Sequence, residues 1–348
     1  MVSMDDGPSQ SVAAPSLLDR VTAAASRSGA WRWSLRSSLG RASWRLRTRF
    51  RLPAWVSSWP FHLLLFALTW LSTLIAGVGI AVNYARGLPP FDLDFSFSLF
   101  RGLCRHPAGL ALGLPFSATL LTILLAHELG HYLACRYHGL KASYPYFIPA
   151  PTLIGTMGAF IRIRSPILNR RVLFDVAVAG PIAGFVLAVP VLGFAVLHSR
   201  LGALPAPTGS IAIGRPLALT LLADLLGPGV RPAVLALPPV GCAAWVALLV
   251  TALNLLPMSQ LDGGHIVYAV MGRKHRRLAR LFWLALMPLG YFYWPGWFLW
   301  AAIIALLGVG HPPVLLPADP LGRPRQVLAV LAAAIFVLCF MPTPLAVR

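Results

Sequence analysis

Apolar runs long enough to cross a lipid bilayer recur along this chain, and their recurrence limits the fold more than any other feature. About 20 apolar residues in helical form cross the hydrocarbon core of a bilayer. By that ruler, spans are expected near residues 60–84, 110–137, 172–198, 239–257, 279–293, 295–309 and 326–345. The fifth and sixth are short and meet at Pro295-Gly296, so they are one broken element or two. The expected fold is an all-α polytopic membrane protein with six to seven transmembrane helices. Only 11% of the 348 residues are charged, against about 25% in a soluble globular chain, which excludes a large soluble core.

The formal net charge is +19, and its distribution matters more than its size. Nine arginines fall between Arg20 and Arg51, and most of the rest sit in short stretches between apolar runs. Such clusters are orientation signals in a membrane protein; no nucleic-acid partner is expected. Residues 1–59 read as a basic tail, disordered or lying on an anionic membrane surface through Trp31, Trp33, Trp44 and Phe50. The tail lacks the short apolar stretch of a secretory signal, and Asp5, Asp6 and Asp19 weaken its reading as a transit peptide. Residues 60–346 read as the membrane domain, with core spans 110–137, 172–198 and 239–257. Cys104, Cys135, Cys242 and Cys339 are too far apart for a disulfide framework or a zinc knuckle.

A cytoplasmic tail puts the loop 85–109 outside. The basic loop 138–171 and the loop carrying Arg273, Lys274, Arg276 and Arg277 then fall inside, so alternation and charge agree. One segment breaks the helical pattern. Tyr144–Ser165 is rich in Pro and Gly yet largely apolar, and Phe160–Arg164 alternates with the period of a strand. Non-helical backbone at membrane depth must be buried in protein or line a wet cavity. A re-entrant β-hairpin between the second and third spans satisfies that, with an ordinary cytoplasmic loop as the alternative.

The second span contains His127-Glu128-Leu129-Gly130-His131. Residues four apart share a helical face, so the two histidines can bind one metal ion, with Glu128 beside them to take a proton from a water there. Chance would produce this motif in about one such chain in a thousand, because the sequence has nine His and the single glutamate Glu128. Ionisable groups within a span are costly and functional by default. The bland alternative is a hydrogen-bonded polar patch between helices.

A catalytic zinc needs a third protein ligand and an open position. With Glu128 as base, no glutamate is left to supply it. The metzincin spacing fails as well, because Ala134 and Tyr137 stand where its glycine and third histidine would be. An Asp or a remote His must serve. Asp262 is the best placed: it follows the fourth span at its cytoplasmic end, Pro257 ends the helix, and Gly263 and Gly264 let the chain bend back. Asp175 and Asp224 are weaker. Asp175 is expected to pair with Arg170 and Arg171, and Asp224 falls on the opposite side of the membrane. His265 is an alternative, as a ligand or as a partner behind the ligands.

The His-Glu-x-x-His motif, combined with Asn254-x-x-Pro257-x-x-x-x-Asp262-Gly263, resembles the site-2 protease family of intramembrane zinc metalloproteases. Gly155-Thr156-Met157-Gly158-Ala159-Phe160 resembles that family's re-entrant strand region, and Ala179–Gly184 the glycine-rich stretch of its middle core helix. His311-Pro312-Pro313 and the closing span resemble the plastid and bacterial branch without a PDZ domain. The resemblance covers roughly 60–346 and leaves the tail outside. It implies one Zn2+ per chain held by His127, His131 and Asp262, with Glu128 as general acid/base and Asn254 as a substrate or oxyanion contact. Gly184 stands where relatives often carry Asn or Ser, so no polar substrate contact is expected there. The implied location is a bacterial inner membrane, or a plastid membrane, with the N-terminus and the site toward the cytoplasm.

The expected reaction is hydrolysis of a peptide bond within or near a transmembrane segment, as in regulated intramembrane proteolysis. The partners are then a transmembrane protein substrate and the lipid bilayer. A helical substrate hides its carbonyls and must unwind, and the hairpin could receive it as an added strand, with Gly155 and Gly158 permitting close approach. A metal-ion transporter and a non-catalytic membrane scaffold compete with this reading. A transporter needs ligands along a path, and the spans add little beyond Asp175, His62 and His198. A scaffold would lack the metal site, whereas every expected ligand is present.

Overall fold

The computed structural model describes residues 54–91, 97–201, 211–226, 235–312, 314 and 320–347. The tail expected over 1–59 therefore lies outside the described residues, apart from a 3-10 turn at Ala54–Ser57 and the start of the first helix.

Helix α1 (Trp59–Ala85) opens on Pro60, whose missing N–H costs nothing in a first turn. A short α2 (Phe97–Arg105) and a 3-10 turn at Pro107–Gly113 lead into α3 (Leu114–Tyr137). Strands β1 (Tyr146–Pro149) and β2 (Thr156–Phe160) follow. Next comes α4 (Arg170–Leu197), whose N-cap Asn169 accepts from the main-chain N–H of Arg171. Beyond it lie β3 (Arg200–Leu201), β4 (Ile211–Ile213), α5 (Leu217–Leu226) and β5 (Leu235–Ala236). The chain closes with α6 (Pro239–Asn254), α7 (Asp262–Met271), α8 (His275–Phe292), α9 (Gly296–Leu307), α10 (Arg323–Cys339) and β6 (Leu345–Val347).

Each apolar run read from the sequence coincides with a helix, and the pair over 279–309 is two helices separated at Tyr293–Pro295. Among the described residues, three helices, at 59–85, 107–137 and 170–197, are long and apolar enough to cross a membrane. The 16 residues of α6 rise only about 24 Å, short of a hydrocarbon core of about 30 Å. In α8, Arg276, Arg277 and Arg280 occupy the first two turns.

The core is built from α3, α4 and α6, which pack against one another. On α3 the buried positions Phe116, Leu120, Ile123, Leu124, His127, His131 and Cys135 recur every three or four residues, so the histidines continue an apolar stripe. Residues Gly241–Leu248 of α6 are buried on all sides, which marks the central helix. Large apolar side chains on the outer faces of α1, α8, α9 and α10, among them Leu64, Leu284, Leu306 and Val330, are exposed.

β1 and β2 pair antiparallel, with Tyr146 opposite Phe160 and Pro149 opposite Thr156. The strand begins earlier than the alternation at Phe160–Arg164 suggests. Ile163 makes only an isolated bridge to Ala142. In the connecting turn Gly155 has φ 78° and packs its α-carbon on the backbone of Ser72 and Thr73, near the middle of α1. The Ser72 hydroxyl donates to the Gly155 carbonyl at 2.6 Å.

Asp175 on α4 corrects an expectation. Its carboxylate accepts two hydrogen bonds of 2.7 Å from Arg325 of α10 and one of 3.0 Å from His138 Nε2. Arg170, expected as its partner, instead donates to the carbonyls of Ala269 and Val270. One acid thus joins the second, third and last of the apolar runs. Arg325→Ala is expected to lower stability by about 1–3 kcal/mol, measured as a lower thermal midpoint of the purified protein in detergent. Arg325→Lys should restore only part of it, having no fork to engage both carboxylate oxygens.

Candidate metal centre

Three ligand atoms converge where α3, α4 and α7 meet. His127 Nε2 and His131 Nε2 are 3.2 Å apart, and Asp262 Oδ2 lies 3.3 Å from each. Zinc bonds of about 2.0–2.1 Å in tetrahedral geometry separate ligand atoms by about 3.3 Å. The triangle therefore fits one ion with a fourth position open, and His127, His131 and Asp262 are placed to bind one metal ion.

Each ligand is seated by its neighbours. His131 Nδ1–H donates to the Val176 carbonyl at 2.7 Å, which leaves the Nε2 lone pair for a metal. The ring rests on Gly180, where a Cβ would fall inside the imidazole. One turn further, a Cβ at Gly184 would meet His127 Nδ1 at 3.2 Å. The backbones themselves approach at Gly130, whose Cβ would lie 2.5 Å from the Ala179 carbonyl. The glycines of Ala179–Gly184 thus supply space for two imidazoles, a role the sequence alone did not reveal.

Asp262 arrives by a tight reversal after α6 and begins α7. Gly263 and Gly264 pack on the carbonyls of Leu255, Leu256, Met258 and Ser259, so no side chain fits at either position. At the other end of α7, Arg170 Nη2 donates to the Ala269 carbonyl at 2.6 Å, satisfying a C-terminal helix carbonyl. Helix α4 therefore holds both His131 and the helix that carries Asp262.

Glu128 is buried, at 5% exposure, and lines a cavity of about 230 Å³ together with the three ligand residues, Asn254 and His265. Asn254 Nδ2 is 3.4 Å from His127 Nε2. On another side the cavity is closed by Phe160, Ile161 and Ile163, at and beyond the end of β2. Gly155 and Gly158 do not line it: Gly155 is used up against α1, whereas Gly158, at φ 98°, faces open space. Asp175 is committed to its ion pairs, and Asp224 on α5 is exposed, away from the cavity. His265 is hydrogen-bonded to His311, which sequence reasoning had not linked to the site.

Peptidase family M50 matches residues 115–292, just over half of the chain. Among curated proteins, the chain is 40% identical over 158 residues to the probable zinc metalloprotease EGY2, chloroplastic, of Oryza sativa subsp. indica, which covers 44% of this chain and 28% of that protein. It is 30% identical over 249 residues to the Arabidopsis thaliana protein of the same name, covering 67% and 42%. To the probable zinc metalloprotease EGY1, chloroplastic, of Oryza sativa subsp. japonica it is 28% identical over 316 residues, covering 85% and 53%. The chain thus spans about a quarter to a half of the length of these relatives. No solved structure matches it.

Gly180→Ala must displace the His131 ring. It is expected to weaken zinc binding by about 10–100-fold, the usual cost of disturbing a ligand's support, as read by competition with a chelator. Gly184→Ala, whose nearest contact is looser, is expected to weaken it less.

Proposed function

The chain belongs to peptidase family M50, and from that premise we propose that it is an intramembrane zinc metalloendopeptidase. It hydrolyses peptide bonds within or near transmembrane segments of other membrane proteins. The observation that carries this reading is the His127–His131–Asp262 triangle, with Glu128 on the same cavity and three of these four residues inside one long apolar helix. Among the described residues that constellation stands alone. It suits a reaction centre, and a transport path would need more.

His127, His131 and Asp262 would hold the zinc, which when bound would acidify a water and polarise the scissile carbonyl. Glu128 takes the proton of the attacking water and returns it to the leaving amine. The Asn254 amide, beside His127, donates to the charge that develops on the carbonyl oxygen. Ile161, Ile163, Ile167, Leu173 and Val176 give the cavity an apolar wall beside the reacting atoms, which strengthens each of these interactions. The unwound substrate adds as a strand to β2, which pairs with β1 on one edge. Gly158, where a side chain would meet nothing within 4 Å, leaves room for the approach, and Gly155 sets the hairpin against α1.

The hairpin is re-entrant in this reading. Gly155 meets α1 at Ser72, 13 residues from its start at Trp59, a rise of about 20 Å and so well within a bilayer. The seven helices at the apolar runs cross or enter the membrane, with the N-terminus and the site toward the cytoplasm. The directions of the core helices support this: α3 and α6 approach the cavity with their C-terminal parts and α4 with its N-terminal part. The membrane is a bacterial inner membrane, or a plastid one as in the relatives. Residues 60–346 form the protease domain, and residues 1–59 are a basic tail.

Glu128→Gln is expected to lower cleavage of a reconstituted transmembrane substrate by about 10²–10⁴-fold while the protein keeps one zinc per chain. Cleavage persisting at the wild-type rate in that variant would overturn the assignment.

A further inference from the structure

His265 is left over once the metal site is built. It stands one turn along α7 from Asp262 and lines the same cavity, yet it takes no part in the ligand triangle. Its Nδ1 lies 2.7 Å from Nε2 of His311, and His311 Nδ1 lies 2.5 Å from the carbonyl oxygen of Pro312. A carbonyl only accepts, so His311 carries its hydrogen on Nδ1. In a neutral ring its Nε2 then only accepts, and His265 must donate from Nδ1 and keep a lone pair on Nε2. Burial holds both rings neutral by pushing them down to about 4. Tyr268 stacks on His311 with ring centroids 4.3 Å apart and fixes its plane. A 2.7 Å separation is a hydrogen bond, tighter than the 3.2–3.3 Å spacing of the metal triangle.

Among the described residues the hydrogen bond of the His265 ring is the one from Nδ1, and no donor reaches Nε2. A strand laid along β2 turns alternate N–H groups away from it, and inside the cavity those groups need acceptors. Asp262 belongs to the ligand triangle, Leu261 is apolar and Gln260 is exposed, whereas His265 is a half-buried acceptor whose tautomer is set by His311. We propose that His265 is a substrate-binding residue, its Nε2 accepting a main-chain N–H of the unwound segment beside the scissile bond. His311 is the positioning residue that keeps that nitrogen unprotonated. The inference rests on the proteolytic reading above.

The test uses zinc-loaded full-length Glu128→Gln as a binding trap in nanodiscs, with a transmembrane peptide that the wild type cleaves. A set of esters of this peptide removes one N–H at a time on either side of the scissile bond. His265→Ala in the trap is expected to weaken peptide binding about tenfold, the value of one good hydrogen bond, with one zinc per chain retained. One ester should weaken binding to the parent trap to the same degree and have no further effect in the His265→Ala trap. His311→Phe, which keeps a ring against Tyr268 but frees the His265 tautomer, is expected to weaken binding by a smaller factor. Ester effects of equal size in both traps at every position would overturn the proposal, as would loss of zinc from the His265→Ala protein. A trap that binds no peptide at all would overturn the proteolytic reading and this proposal with it.

Discussion

The close seating of α3 on α4 is the contact from which the metal site follows. Gly130 brings the two backbones together, Gly180 receives the His131 ring, and Gly184 makes room beneath His127. Small residues drive such contacts between membrane helices, because lipid tails remove the usual hydrophobic incentive to pack. Here the same smallness gives two imidazoles a floor to rest on, and the Val176 carbonyl sets the tautomer of one of them. The fold and the chemistry therefore draw on one stretch of α4, and neither can be altered there alone.

Much of this was legible in the chain because membrane-spanning helices announce themselves by length and hydropathy. The His127–His131 spacing is equally plain, since four residues along a helix fix a shared face. Asp262 was reachable by elimination and topology. Gly263 and Gly264 after it turned out to act by packing on the carbonyls of Leu255–Ser259 as much as by letting the chain bend. What the sequence hid were contacts between residues far apart along it. Nothing local says that Asp175 is met by Arg325, 150 residues away, in place of the arginines one turn before it. Nor does anything local tie His265 to His311, because a histidine in a loop carries no mark of the ring it will face.

The lengths of the helices add a lesson about the limits of a hydropathy ruler. α6 is too short to cross a bilayer alone, and yet it is the most thoroughly buried of the core helices. Wrapped in protein, it has no need to match the thickness of the lipid. The run 239–257 looked like a full span because Leu255 and Leu256 continue the apolar sequence after the helix has ended. Those residues are buried in the turn that delivers Asp262.

The hairpin is tied to α1 and to the 3-10 turn just before it at three levels: Tyr146 donates to the Val56 carbonyl, His62 Nδ1 to that of Pro145, and Ser72 to that of Gly155. A strand fastened along its length behaves as a door panel fixed to its post. Widening the cavity by swinging the hairpin away from α3 must either carry α1 along or break all three bonds. Admission of a bulky helix would therefore be a motion of the first span and the hairpin as one piece.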